Sequence, residues 1–271
     1  MKELCADVRA EYAELQRVVA DLTPAQWQTG TDFYQWTLYD EIAHLFLFDE
    51  LALVAVADAA EFRDRQSRIE ARLEGGEQIS EIARQTYAGI NGSELARRWR
   101  DAYESLSGAL AVLEPRMRLP WFGPDMSARS FATARLMETW AHGQDVYDAL
   151  GLERAASLRL KHIAHLGVVT FQWAHRVHGL DPPAEAPKVE LYAPLSEMWI
   201  WNEQSRSGEV RGSAQDFCLV VTQRRHIADT RLETTGPIAE AWMKIAQCFA
   251  GPPALGPPPG LRRVGARAPG V

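Results

Sequence analysis

With 271 residues, 46% of them hydrophobic and 24% charged, the chain has the make-up of a globular protein with room for one large domain or two ordinary ones. A formal charge of −7 argues against a broad basic face for nucleic acid, and no apolar run reaches the length of a membrane span. Cys5, Cys218 and Cys248 are odd in number and sit among apolar neighbours, so inert buried thiols are expected; with no signal-peptide core at the N-terminus, the expectation is a cytoplasmic protein.

Apolar residues recur at helical spacing from about Glu3 to Leu22, through Leu4, Val8, Tyr12, Leu15, Val18 and Val19. Thr23 and Pro24 then read as an N-cap and first helical position, and residues 30–36 as an aromatic loop. Thr37 with Asp40 opens a helix over about Leu38 to Ala57 that is apolar on nearly every face beyond Ile42, which marks an inner helix. Further helices are expected over about Ala59 to Leu73, Ile79 to Ala88 and Glu94 to Leu113, the last opened by Asn91-Gly92-Ser93. After an irregular stretch from Pro115 to Pro124, Ser127 or Ser130 opens a helix that stops at Gly151, and one more helix spans about Ser157 to His178. Four long helices with connectors predict an antiparallel bundle.

Beyond residues 181–187, a Pro-rich linker, the pattern changes to short β-rich runs at Val189 to Tyr192, Glu197 to Trp201, Glu209 to Arg211 and Thr230 to Thr235. Helices are expected from the Ser213/Asp216 cap through Val221, and from Pro237 to about Ala250. The predicted fold class is therefore α+β: a helical bundle over 1–180, a small α+β domain over 188–250, and a disordered Pro/Gly-rich tail over 251–271.

The chemistry concentrates in two runs, Glu138-Thr-Trp-Ala-His142-Gly-Gln-Asp145 and His44-Leu-Phe-Leu-Phe-Asp49. Glu138 and His142, four apart on a helix, project from one face. With His44 set opposite from a second helix, they form two imidazoles and a carboxylate, a donor set suited to a catalytic zinc with one position open. The bland alternatives are a surface carboxylate–imidazole pair and a core histidine bonded to a backbone carbonyl. The apolar neighbours favour the metal, because an ionisable group buried among them needs a compensating partner. Asp145 either orients a ligand or acts as a nearby base, the alternative being an exposed helical carboxylate. Of the histidines crowded at 162, 165, 175 and 178, the last two suit a helix C-terminus, whereas His162 and His165 are expected to look into the bundle, one of them as a proton shuttle.

A histidine in an early apolar helix followed by a Glu-x-x-x-His-x-x-Asp run resembles the mycothiol-dependent maleylpyruvate isomerase group of the DinB-like superfamily. The likeness is nearest to a subgroup known only as metal-binding, which also carries a run like Gly212-Ser-Ala-Gln-Asp-Phe-Cys-Leu-Val-Val-Thr-Gln-Arg-Arg225. It implies zinc on His44, Glu138 and His142, and a C-terminal domain like sterol carrier proteins. It also implies a catalytic arginine that holds an anionic group of substrate or cofactor; Arg224 is its best counterpart and Arg225 a rival, the alternative being solvated helix-end charges. The function implied is activation of mycothiol or another low-molecular-weight thiol for isomerisation or S-transfer on a small-molecule substrate, in a monomer or homodimer. Two alternatives stay open: zinc chemistry through bound water or carbonyl polarisation, and a non-catalytic binder of a hydrophobic molecule with a structural metal.

Overall fold

Helical apolar spacing winds Lys2–Val19 into α1, and a capping box between Thr37 and Asp40 starts α2, Leu38–Ala57. Asp58 caps α3, Ala59–Glu74, through the amides of Ala60 and Glu61, and α4 follows at Ile79–Thr86. Asn91 caps α5, Gly92–Ala111; the two-residue strands β1, Arg118–Leu119, and β2, Met126–Ser127, then lead into α6, Ala128–Ala149. At the start of α6, the Ser127 hydroxyl accepts from the Ser130 amide. The stretch after Thr23 and Pro24 forms only a 3-10 turn, Gln26–Gln28, whose Trp27 is buried. It lies against the start of α5 so closely that a Cβ on Gly92 would stand 2.2 Å from the indole.

The computed structural model describes residues 1–262, and the chain divides after Ala149 into two units. In the first, α1 and α2 each pack against both α5 and α6, which makes a four-helix bundle, with α3 and α4 added beside α2. Val8, Leu15, Ile42, Leu45, Leu106, Phe131 and Leu136 fill its core. One polar group ties all four helices: the Asp49 carboxylate on α2 accepts from Tyr12 Oη at 2.5 Å, from Trp99 Nε1 at 2.9 Å and from Arg135 Nε at 2.9 Å.

The second unit begins at Leu150 and holds α7, Leu160–Val169, and α8, Phe171–Val177. Then come β3, Lys188–Tyr192; β4, Met198–Trp201; β5, Glu209–Ser213; α9, Ala214–Val221; β6, Glu233–Thr235; and α10, Pro237–Ile245. The sheet runs β4-β3-β5-β6, parallel between β3 and β5 and antiparallel elsewhere. Alternation buries Val189, Leu191, Trp199 and Val210 on one face, under the helices.

Three expectations need correction. The helix expected over 157–178 breaks at Thr170, whose backbone departs from helical angles with φ −89° and ψ 9°. The unit boundary falls after Ala149, not at 180, because α7 packs on α9 and α8 on α10. Gly167 permits the first contact, since a Cβ there would meet Phe217 and Val221 at 2.9 Å, and Phe171 against Trp242 makes the second, with ring centroids 5.2 Å apart. Of the tail expected to be disordered, residues 251–262 are tied down: Ala254 O accepts from Gln223 Nε2 at 2.5 Å, and the Gly260 amide donates to Asp229 at 2.8 Å. Residues 263–271 lie outside the described residues. Cys5, Cys218 and Cys248 are buried, as expected. Among the described residues no helix is long and apolar enough to cross a membrane.

Candidate metal centre

Because Thr37 fixes where α2 begins, Glu41 and His44 fall three residues apart, nearly one above the other on the face turned to α6. From α6 come Glu138 and His142, one turn apart. The three predicted donors meet. His44 Nε2 is 3.9 Å and His142 Nε2 3.4 Å from the same Glu138 oxygen, Oε2. The ligand atoms of all three lie within 4.8 Å of one another. Donors about 2.1 Å from a tetrahedral zinc stand ~3.4 Å apart, and the separations of the two imidazoles from Glu138 Oε2 lie within about 0.5 Å of that spacing. His142 is buried, whereas the Glu138 side chain is 24% exposed and the His44 side chain 12%, which leaves one flank of the group accessible. Burial by itself would raise the Glu138 carboxyl, but hydrogen bonds and charge from His142 and His44 override it and hold the group well below the usual carboxylate range.

Behind His142 stands Glu41, fully buried, with Oε2 only 2.7 Å from His142 Nδ1. That distance is a hydrogen bond and too short for two ligands of one tetrahedral ion. The two atoms are therefore hydrogen-bonded rather than ligands of one ion, although Glu41, His142 and Asp145 also lie within 4.8 Å of one another. With an ion bound, Nε2 would give it the lone pair and Nδ1 would carry the proton that Glu41 accepts. Aromatic rings surround both imidazoles: Phe33 meets His142 edge-on at 5.3 Å, Trp36 lies 5.2 Å from His44, and Phe48 lies 4.7 Å from His44.

The remaining predicted residues are placed as follows. Asp145 is buried beside Glu41 and His142, not an exposed helical carboxylate. His165 belongs to α7 in the second unit, not to the bundle; it is exposed and its Nδ1 accepts from Trp201 Nε1 at 3.3 Å. Partial desolvation of the ring and then the charge of His162 lower its pKa. Arg224 and Arg225, just past α9, are buried and not solvated helix-end charges, with guanidinium bonds to the carbonyls of Thr222 at 2.8 Å and Arg224 at 2.7 Å. Two residues of the site escaped the sequence reading. They are Glu41, and Thr31, whose hydroxyl donates to Glu41 Oε1 at 3.0 Å; the only available signal was the three-residue spacing of Glu41 from His44.

The family model described as mycothiol maleylpyruvate isomerase N-terminal domain matches residues 8–147, a span that contains all three donors. Uncharacterized proteins from two strains of Mycobacterium tuberculosis are each 43% identical over 251 residues, covering 93% of this chain and 96% of theirs. Among solved structures, the crystal structure of the mycothiol-dependent maleylpyruvate isomerase is similar in fold, with a TM-score of 0.58 at 15% identity, covering 86% of this chain and 91% of the other. A point mutant of that enzyme gives a TM-score of 0.55 over the same shares.

Proposed function

The chain belongs to the mycothiol maleylpyruvate isomerase N-terminal domain family, and from that premise we propose a zinc-dependent enzyme that uses mycothiol or another low-molecular-weight thiol. Its reaction is isomerisation of, or S-transfer to, a small electrophilic substrate. The observation that carries the reading is the convergence of two imidazoles and one carboxylate at coordination spacing. Among the described residues, no fourth His, Cys, Asp or Glu joins that group within the same mutual distance. Structural zinc sites are closed by four protein ligands, commonly Cys-rich, so a three-donor set supports catalysis.

His44 and His142 would hold the ion through Nε2, and Glu138 through a carboxylate oxygen. When bound, the ion supplies positive charge that favours a thiolate over a thiol at neutral pH. Glu41 accepts the Nδ1 proton of His142 and so keeps that ring's lone pair aimed at the centre. Phe33, Trp36 and Phe48 restrict water around the imidazoles and offer an apolar surface to substrate carbons. Glu138, on the accessible flank, leaves room for a small molecule to approach.

Metal analysis of protein purified without added metal tests the site, with about one zinc per chain expected and its loss in His142→Ala. Addition of mycothiol to the cobalt-substituted protein then tests the thiol, with a sulfur-to-metal charge-transfer band expected. A metal-free wild-type protein contradicts the site. A loaded protein whose spectrum ignores thiols contradicts the cofactor and turns the reading to water-based or Lewis-acid chemistry.

A further inference from the structure

A carboxylate sealed from solvent is costly unless its lone pairs are all engaged. Glu41 is 0% exposed and Thr31 1%. Its two oxygens face different structures: Oε2 meets His142 Nδ1 at 2.7 Å, and Oε1 accepts from Thr31 Oγ1 at 3.0 Å. Thr31 in turn shapes the segment 30–37. Its amide donates to the Trp36 carbonyl at 2.6 Å, its hydroxyl accepts from the Phe33 amide at 3.2 Å, and Gly30 and Thr37 bridge across the base. Inside that closed loop Tyr34 and Gln35 turn the chain with φ of 48° and 59°. The turn sets Phe33 edge-on to His142, and Trp36 5.8 Å from His142 and 5.2 Å from His44.

We propose that Glu41 is the positioning residue of this centre: one buried carboxylate fixes the tautomer of His142 and, through Thr31, the aromatic loop laid across both imidazoles. The inference rests on the reading of His44, Glu138 and His142 as metal ligands, and extends it to the residue that aligns them. Glu41 touches neither ion nor substrate in this role. Because a carboxylate only accepts hydrogen bonds, it selects the Nδ1–H form of the ring; an amide at the same position can donate as well as accept and selects neither.

Nitrogen NMR of His142 in the metal-free protein requires no substitution and is expected to show the Nδ1–H tautomer, because Glu41 lies 2.7 Å from Nδ1 whereas Glu138 lies 3.4 Å from Nε2. Glu41→Gln is expected to give a mixture of tautomers and to weaken zinc binding about 10–100-fold in chelator competition, with helical content unchanged. Thr31→Val is expected to keep the tautomer and the metal affinity. It should raise acrylamide quenching of Trp36, taken as the difference from Trp36→Phe. An Nε2–H ring in the wild-type protein overturns the proposal, as does a folded Glu41→Gln that binds zinc as tightly as wild type. Wild-type protein that shows Nδ1–H but binds no zinc overturns the metal reading, and with it a metal-centre role for Glu41, by a distinct route.

Discussion

Replacing Asp49 by Asn keeps the shape of the bundle's central polar group and removes its charge. The Arg135 side chain is 3% exposed and that of Asp49 0%, so the substitution leaves a guanidinium buried without its counter-ion. Stripping one partner from such a pair costs about 3–5 kcal/mol. The upper half of that range is expected here, because Tyr12 and Trp99 also donate to Asp49 and the Asn amide group would face donors. For a unit of this size the loss corresponds to a fall in Tm on the order of 10 °C. Burial raises the Asp49 carboxyl, and Arg135, Tyr12 and Trp99 only partly offset it, so the ionised form is itself held at a cost. Joint replacement, Asp49→Leu with Arg135→Met, is therefore expected to recover only part of the loss, because Tyr12 Oη and Trp99 Nε1 stay buried and lose Asp49 as acceptor. Urea and thermal unfolding followed by far-UV circular dichroism measure both quantities. An Asp49→Asn protein within about 1 kcal/mol of wild type would refute the reasoning, since that is the scale of a solvent-exposed pair.

Gly167→Ala should destabilise the second unit by about 1–3 kcal/mol in urea unfolding, because overpacking against Phe217 and Val221 at 2.9 Å outweighs the gain in helix propensity; a neutral or stabilised variant would show that α7 shifts freely on α9. Hydrogen bonds from Arg97 and Arg98 lower the Glu94 carboxyl to about 2. A folded pKa below the unfolded one means that this contribution to stability is present above the ordinary carboxylate range and is lost as pH falls toward 2. Carbon NMR of Glu94 should show that midpoint, and a midpoint near 4.5 would contradict the pairing. If Arg224 holds an anionic group, Arg224→Met should raise KM for an anionic substrate about tenfold with kcat little changed, and Arg225→Met should not; the reverse order would give the role to Arg225.

The bundle was legible because its signals are local. Thr37 with Asp40, Asn91 and the three-to-four-residue apolar spacing fix helix starts and buried faces without reference to distant residues. His44, Glu138 and His142 were legible for a related reason: two of them share a helix face, and the third stands out as an ionisable group in an apolar run. What sequence could not show were partnerships across long stretches of chain. Glu41 contacts a histidine 101 residues away, and Arg135 meets Asp49 across 86. The boundary at Ala149 was hidden similarly, since α7 looks like any amphipathic helix until α9 is seen packed on Gly167. The break at Thr170 leaves no mark in the apolar spacing, because it is a change of backbone angles at one residue.

Anomalous diffraction at the zinc edge, from crystals of the protein purified without added metal, tests the central claim most directly. The account predicts one peak per chain, bonded to Nε2 of His44, Nε2 of His142 and a Glu138 oxygen, with the fourth position held by water or a thiol. A peak bound instead by Glu41 or Asp145, a fourth protein ligand closing the set, or no peak between α2 and α6 would contradict it.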